Sequence, residues 1–201
     1  MSERGLCSRR EADSYIERGW VRVDGEVVSE LGAKAYPDQV ITLECAAQAR
    51  QTSRVTILIN KPVGYVSGQA EKGYTPAVAL IDARSRFEGC RSPQRFERGH
   101  LDGLAVAGRL DIDSQGLLVL TQDGRIAKHL IGEDSSVDKE YLVRVQGDLS
   151  DHGLALLNHG LSLDARRSSP RRCAGRITTS CASCCAKARS ARFAACANWS
   201  G

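Results

Sequence analysis

A carboxylate that reacts has to be kept ionised and presented where a substrate can reach it. The stretch Gly108-Arg109-Leu110-Asp111-Ile112-Asp113-Ser114-Gln115-Gly116-Leu117 offers one candidate. Asp111 stands two residues after Arg109, at the end of a polar segment and just before a very hydrophobic run, so both side chains should be presented at a sheet edge, where clefts form. An Arg–Asp pair would hold the carboxylate ionised and aimed, with Arg109 also available to a phosphate. Spacing alone does not name a reaction, since a lone carboxylate in a turn more often caps or is solvated.

The other polar candidates each have a plain alternative. Tyr141 follows Lys139-Glu140 and opens a strand-like run; it could stack on a base or simply pack with its hydroxyl at the rim. Asn60 and Lys61 read as ordinary strand-end residues. His100, His129, His152 and His159 lie singly, without HxH or HExxH grouping, so no metal site is expected in the body. Gly64, Gly68 and Gly73 lack the GxxxxGK[ST] pattern of a phosphate loop, and no cofactor is expected.

The elements that must position these residues are legible in part. Ser8 with Glu11 three residues later has capping-box spacing, and Ala12, Tyr15 and Ile16 give a short apolar face, so a helix over 8–18 ending at Gly19 is predicted. Residues 20–28 alternate around Asp24-Gly25 as a small hairpin, and Val40 to Leu43 reads as a further strand. Residues 44–53 look like a weakly patterned linker. Val55 to Lys61 reads as an interior strand stopped by Pro62. Residues 68–103 form a long surface excursion with one helix-like piece at 76–81. A buried strand follows at Leu117 to Thr121, then a turn at Asp123-Gly124 and a helix from about Arg125 to Ile131. A third strand is expected at Tyr141 to Val145, and a helix at Asp151 to Asn158 closed by Gly160. Interleaved strands and helices point to an α+β chain with a mixed, mainly antiparallel sheet and helices packed on it.

The 201 residues carry a formal net charge of +4, but its distribution decides what that means. Residues 1–164 hold 20 basic against 24 acidic side chains, a net of −4, whereas 165–201 hold 8 basic and none acidic. The same boundary separates the scattered Cys7, Cys45 and Cys90 from Cys173, Cys181, Cys184, Cys185 and Cys196. Net charge therefore says little about the partner of the body. The tail sustains neither period 2 nor period 3.6 and is expected to be disordered or poorly packed. A basic RNA-binding tail and a zinc site from Cys181, Cys184 and Cys185 are the alternatives, though no second well-spaced pair completes four zinc ligands. No run of ~20 apolar residues and no secretory leader is evident, so a cytosolic protein without membrane association is expected.

Three ordered motifs resemble the bacterial ribosomal RNA pseudouridine synthases of the small-subunit type, including their large-subunit relatives. These are Leu58-Ile59-Asn60-Lys61-Pro62-Val63-Gly64; Gly108-Arg109-Leu110-Asp111 with Ser114, Gly116-Leu117-Leu118, Leu120-Thr121 and Asp123-Gly124; and Lys139-Glu140-Tyr141-Leu142-Val143. Gly5-Leu6-Cys7-Ser8-Arg9-Arg10-Glu11-Ala12-Asp13 and Val21-Arg22-Val23-Asp24-Gly25 resemble the S4 RNA-binding module, with an earlier first helix represented only by its end. The resemblance implies a partial S4-like domain over 1–48, a catalytic domain over 55–164 and an aberrant basic tail over 165–201. It further implies that Asp111 attacks the target nucleoside, that Arg109 supports the flipped uridine and that Tyr141 contacts the base. Arg9, Arg10, Lys61 and Lys139 would meet RNA, the substrate would be ribosomal RNA, in particular 23S rRNA or a pre-ribosomal particle, and the protein would act as a monomer without a cofactor.

The family pattern stops at Asp164, after which a strand and a basic helix are missing. Synonymous codons for Ala186 to Gly201 can be chosen so that, one base earlier, they read Glu-Gly-Lys-Lys-Arg-Gln-Ile-Arg-Arg-Met-Cys-Glu-Leu-Val-Gly, the expected helix. A frameshift near Asp164–Ala165 is therefore expected, with little or no catalysis by the chain as it stands. A noncatalytic S4-type RNA-binding protein or remnant, and a small metal-binding protein built on the tail cysteines, are the competing functions.

Overall fold

Helix α1 (Arg9–Glu17) starts where the Ser8/Glu11 spacing places it. The Glu11 carboxylate accepts from the Ser8 N–H at 2.8 Å and from its hydroxyl at 2.7 Å, satisfying an otherwise orphaned donor at the helix start. The chain leaves the helix through Gly19 at φ 68°, a left-handed geometry that glycine adopts without a steric penalty. The computed structural model that shows this describes residues 1–70, 73–143, 150–156 and 158–159, together with the backbone of 144–145, 157, 162–163, 166–167, 172–178 and 181–188.

Strands β1 (Val21–Val23) and β2 (Glu26–Val27) form the expected hairpin. Asp24 and Gly25 both have positive φ, at 51° and 89°, as a tight turn matching strand twist requires. β3 (Ile41–Leu43) pairs antiparallel with β1, giving the order β2-β1-β3. Residues 44–53 are a helix and not a linker: α2 (Cys45–Thr52) buries Ala47 against Cys7, Tyr15 and Val21. With one small buried residue this helix has no apolar stripe to read, yet alanines and glutamines carry strong helix propensity.

A second core belongs to the antiparallel sheet of β4 (Thr56–Lys61), β7 (Ala105–Val106) and β8 (Gly116–Thr121), in the order β4-β8-β7. Leu118 and Leu120 are buried with Ala77 and Ile81, and Ile57, Ile59, Phe96 and Leu110 pack around them. The opposite face carries Leu58 and Leu117, 64% and 68% exposed, so β4 is buried on one side where the sequence suggested an interior strand. Between β4 and β7 lie the short parallel pair β5 (Tyr65–Val66) and β6 (Thr75–Pro76) and two 3-10 turns, Ala77–Leu80 and Arg98–Leu101. Helix α3 (Gly124–Ile131) follows β8, and the Asp123 side chain caps it by accepting from the Arg125 N–H at 2.9 Å.

Polar groups join the two cores. The buried Arg54 guanidinium pairs with Glu11 of α1, donates to the Tyr15 hydroxyl at 2.6 Å and lies 3.6 Å from Asp123. Arg125 adds a 2.7 Å ion pair to Asp123. Two cations thus face two carboxylates, which offsets part of the cost of taking these charges out of water.

The chain divides into Met1–Ser135 and Ser136–Gly201. The second unit contains β9 (Lys139–Val145), α4 (Asp151–His159), the strand pair β10 (Ser162–Leu163) and β11 (Arg166–Arg167), and the strands β12 (Arg172–Thr178) and β13 (Cys181–Ala188). β13 lies between β12 and β9 in an antiparallel sheet, with Ala186 opposite Tyr141. The sequence marks neither of these two segments as a strand. Backbone N–H and C=O groups build a ladder whatever the side chains, so Arg, Ala, Ser and Cys without a period can still pair beside a regular strand. Gly160, residues 189–201 and the side chains of Cys181, Cys184 and Cys185 lie outside the described residues.

Candidate active site

The sharp geometry around Asp111 begins with glycine. Gly108 at φ 125° and Gly116 at φ 138° bracket the polar segment, allowing the chain to leave β7 and re-enter the sheet as β8. Inside that bracket the Ser114 N–H donates to the Asp111 carbonyl at 3.1 Å, closing a turn. Leu110 packs against the core while Arg109 and Asp111 on either side are exposed.

Three groups from the end of β4 and the segment after it hold this loop. Buried Ser67 clamps Leu110 from both sides: its hydroxyl donates to the Leu110 carbonyl at 2.6 Å and accepts from the Leu110 N–H at 2.8 Å. The Gly64 N–H donates to the Ile112 carbonyl at 2.8 Å. Lys61, 0% exposed, donates from Nζ to the carbonyls of Tyr65 at 2.9 Å, Pro62 at 3.0 Å and Ile112 at 3.4 Å. All three ammonium donors are therefore used on backbone.

Lys61 is thus not the RNA contact that the sequence suggested; burial and three carbonyls make it a strut beneath the Asp111 turn. Burial pushes its pKa down from the ordinary lysine value, and the carboxylates of Asp113 and then Asp111 oppose that fall.

The expected ion pair between Arg109 and Asp111 is not formed among the described residues. With Leu110 anchored inward, its two neighbours extend separately into water, where a surface pair gains little. Both side chains remain accessible, Asp111 as a carboxylate and Arg109 as an unpaired cation beside it. Arg9 and Arg10 are exposed in the first turn of α1. Tyr141 and Lys139 belong to the second unit, on β9, with Tyr141 half-buried.

Ser67 escaped sequence reasoning because nothing local marks it: its partner lies 43 residues away. The Arg54 cluster escaped for the same reason, since Glu11, Tyr15 and Asp123 come from separate parts of the chain.

A sequence profile of the RNA pseudouridylate synthase family matches residues 55–190. An uncharacterised RNA pseudouridine synthase of Mycobacterium leprae is 35% identical over 166 residues, covering 82% of this chain and 60% of its own length. The ribosomal large subunit pseudouridine synthase B of Bacillus subtilis is 32% identical over 167 residues, covering 83% of this chain and 62% of its own. The chain therefore spans about 60% of the length of the curated relatives it matches. A solved pseudouridylate synthase structure superposes with a TM-score of 0.55 at 20% identity, covering 94% of this chain and 74% of that one, which establishes likeness of fold. The family match begins one residue before β4 and takes in the Ser67 clamp, the Asp111 loop and β9, and it shows that this chain belongs to the RNA pseudouridylate synthase family.

Proposed function

We propose that this protein isomerises uridine to pseudouridine at a specific position in ribosomal RNA, using Asp111. The observation that carries the reading is an exposed carboxylate on a loop fixed at three points by Lys61, Ser67 and Gly64. Such fixing keeps a reacting group within the narrow geometric tolerance that catalysis needs. In the reaction the bond from the sugar to a ring nitrogen breaks, the uracil turns, a bond from the sugar to C5 forms, the C5 proton leaves, the freed nitrogen takes up a proton, and the bond made by the attacking carboxylate breaks to return it unchanged. No redox step or energy source is involved. Asp111 attacks the nucleoside, Arg109 supports the RNA around the flipped uridine, and Tyr141 contacts the base and assists proton removal. Flipping costs a few kcal/mol, which contacts to RNA must offset. Arg9, Arg10 and Lys139 are the candidate cations for that purpose, Arg9 and Arg10 on an N-terminal S4-like module.

The kinship with a large-subunit enzyme favours 23S rRNA, or a particle containing it, as substrate. A cytosolic monomer fits that substrate, and no helix among the described residues is long and apolar enough to cross a membrane. The charge step at Asp164 and the family-like helix that synonymous codons can place one base away support a frameshift within the coding sequence, and with it little or no catalysis by the chain as it stands. The test is base-resolved pseudouridine mapping of rRNA exposed to the chain and to its frame-restored counterpart. New pseudouridine at one large-subunit position with the restored chain is expected; none at any position would sink the reading. Coding DNA whose adjacent frame is unrelated to the family would remove the frameshift alone.

A further inference from the structure

We propose that residues 84–95 form a second RNA-contacting element, in which Phe87 stacks on one unpaired base and Arg91 and Arg95 meet the flanking phosphates. The inference rests on the RNA-modifying reading above but concerns a surface built separately from the Asp111 loop.

Phe87 is 78% exposed, among the most exposed large hydrophobic side chains described. Its position is nevertheless built. The Cys90 N–H donates to the Phe87 carbonyl at 3.0 Å, closing a turn over residues 87–90. Arg86 ties the segment to itself, donating to the carbonyls of Gln94 at 2.8 Å, Cys90 at 3.5 Å and Ser92. A Cβ at Gly89 would come within 2.5 Å of the Phe87 ring, so the ring edge lies against bare backbone there. At the base of the segment Asp82 accepts from the N–H groups of Arg84 at 2.8 Å and Ser85 at 2.6 Å. The excursion also carries Phe96, which packs into the core beside Ile81 and Leu101. One aromatic anchors the segment and the other is held out in water.

Charge identifies the partner. In a body of net −4, residues 84–98 carry five arginines against Glu88 and Glu97, a local net of +3. Arg86 is consumed by the knot, while Arg91, Arg95 and Arg98 are exposed and make no side-chain hydrogen bond or ion pair among the described residues. Residues 84–95 contain no large apolar side chain besides Phe87. A protein interface would need a contiguous apolar patch, whereas one ring among unpaired guanidinium groups suits a base and its phosphates.

The test measures binding of the full chain to a fluorescent single-stranded RNA oligomer and to a duplex of equal length, at several salt concentrations. Phe87→Ala should weaken single-strand binding about tenfold and leave duplex binding unchanged, and Phe87→Trp should retain affinity. Arg91→Gln with Arg95→Gln should lower the slope of log affinity against log salt by roughly 1.4, at ~0.7 for each phosphate no longer neutralised. An unaltered melting temperature in each variant shows that the fold survives. Unchanged affinity in Phe87→Ala overturns this inference alone and leaves the proposed reaction standing. Failure of both the unsubstituted chain and its frame-restored counterpart to bind any RNA overturns both. If Phe87→Ala instead dissociates a self-associated form without altering RNA affinity, the ring serves association between copies and the proposal is wrong.

Discussion

Two irregular segments of the first unit are held in opposite ways. The loop over 107–116 is clamped to the fold beneath it by Ser67, Gly64 and Lys61, whose partners lie at Leu110 and Ile112. The stretch over 82–94 is knotted to itself, through Arg86 and the carbonyls of Cys90, Ser92 and Gln94. A loop that presents a reacting carboxylate has to be registered against the rest of the molecule. A loop that presents a recognition surface needs only internal order and can adjust as a body to a partner.

Breaking the clamp should therefore cost more than breaking the knot. The largest structural effect is expected for Lys61→Ala, which takes away the ammonium donated to the carbonyls of Pro62, Tyr65 and Ile112 and opens a cavity; a loss of about 3 kcal/mol is expected in urea unfolding. Lys61→Met, which keeps the volume and removes a buried charge, should recover part of that stability and still lose turnover, because the Ile112 carbonyl then has no ammonium beneath it. Ser67→Ala comes next, at about 1–2 kcal/mol, since it leaves both backbone groups of Leu110 without their partner. Arg86→Ala should shift global stability by less than about 0.5 kcal/mol while making the 86–94 backbone exchange hydrogen faster. A cost for Arg86→Ala equal to that for Ser67→Ala would erase the distinction between the two loops.

A pH titration sharpens the same contrast at the junction of the two cores. Hydrogen bonds from the Arg125 side chain, aided by the Arg125 N–H and the nearby Arg54 charge and opposed by burial, hold the Asp123 carboxyl below its ordinary value of 3.8. A depressed carboxylate pKa adds stability that is present above 3.8 and is lost as pH falls through the folded-state value. Asp123→Asn should flatten the acid limb of a stability–pH curve; an unchanged limb would show that other carboxylates govern it.

What the sequence disclosed and what it hid follow from range. The Ser8/Glu11 box, the Asp24-Gly25 turn and the β4 and β8 runs are written in neighbouring residues, and each stands where those neighbours place it. Helix α2 is invisible to periodicity because one buried alanine makes no pattern. Lys61 looks like a rim cation because the carbonyl at Ile112, 51 residues on, cannot be anticipated from its neighbours. The Arg109–Asp111 pairing fails because the inward anchor on Leu110, supplied by Ser67 from afar, sends both neighbours outward. The segments over 172–178 and 181–188 pair through backbone, which a side-chain period cannot announce.

The clamp has meaning only if Asp111 does the chemistry. The decisive measurement is single-turnover conversion of rRNA uridine by the frame-restored chain and by its Asp111→Asn form, with RNA affinity measured in parallel. Turnover should fall by roughly 10³-fold or more, as expected when a nucleophile is removed, while affinity changes little. Equal turnover by the two forms would show that Asp111 is not the nucleophile.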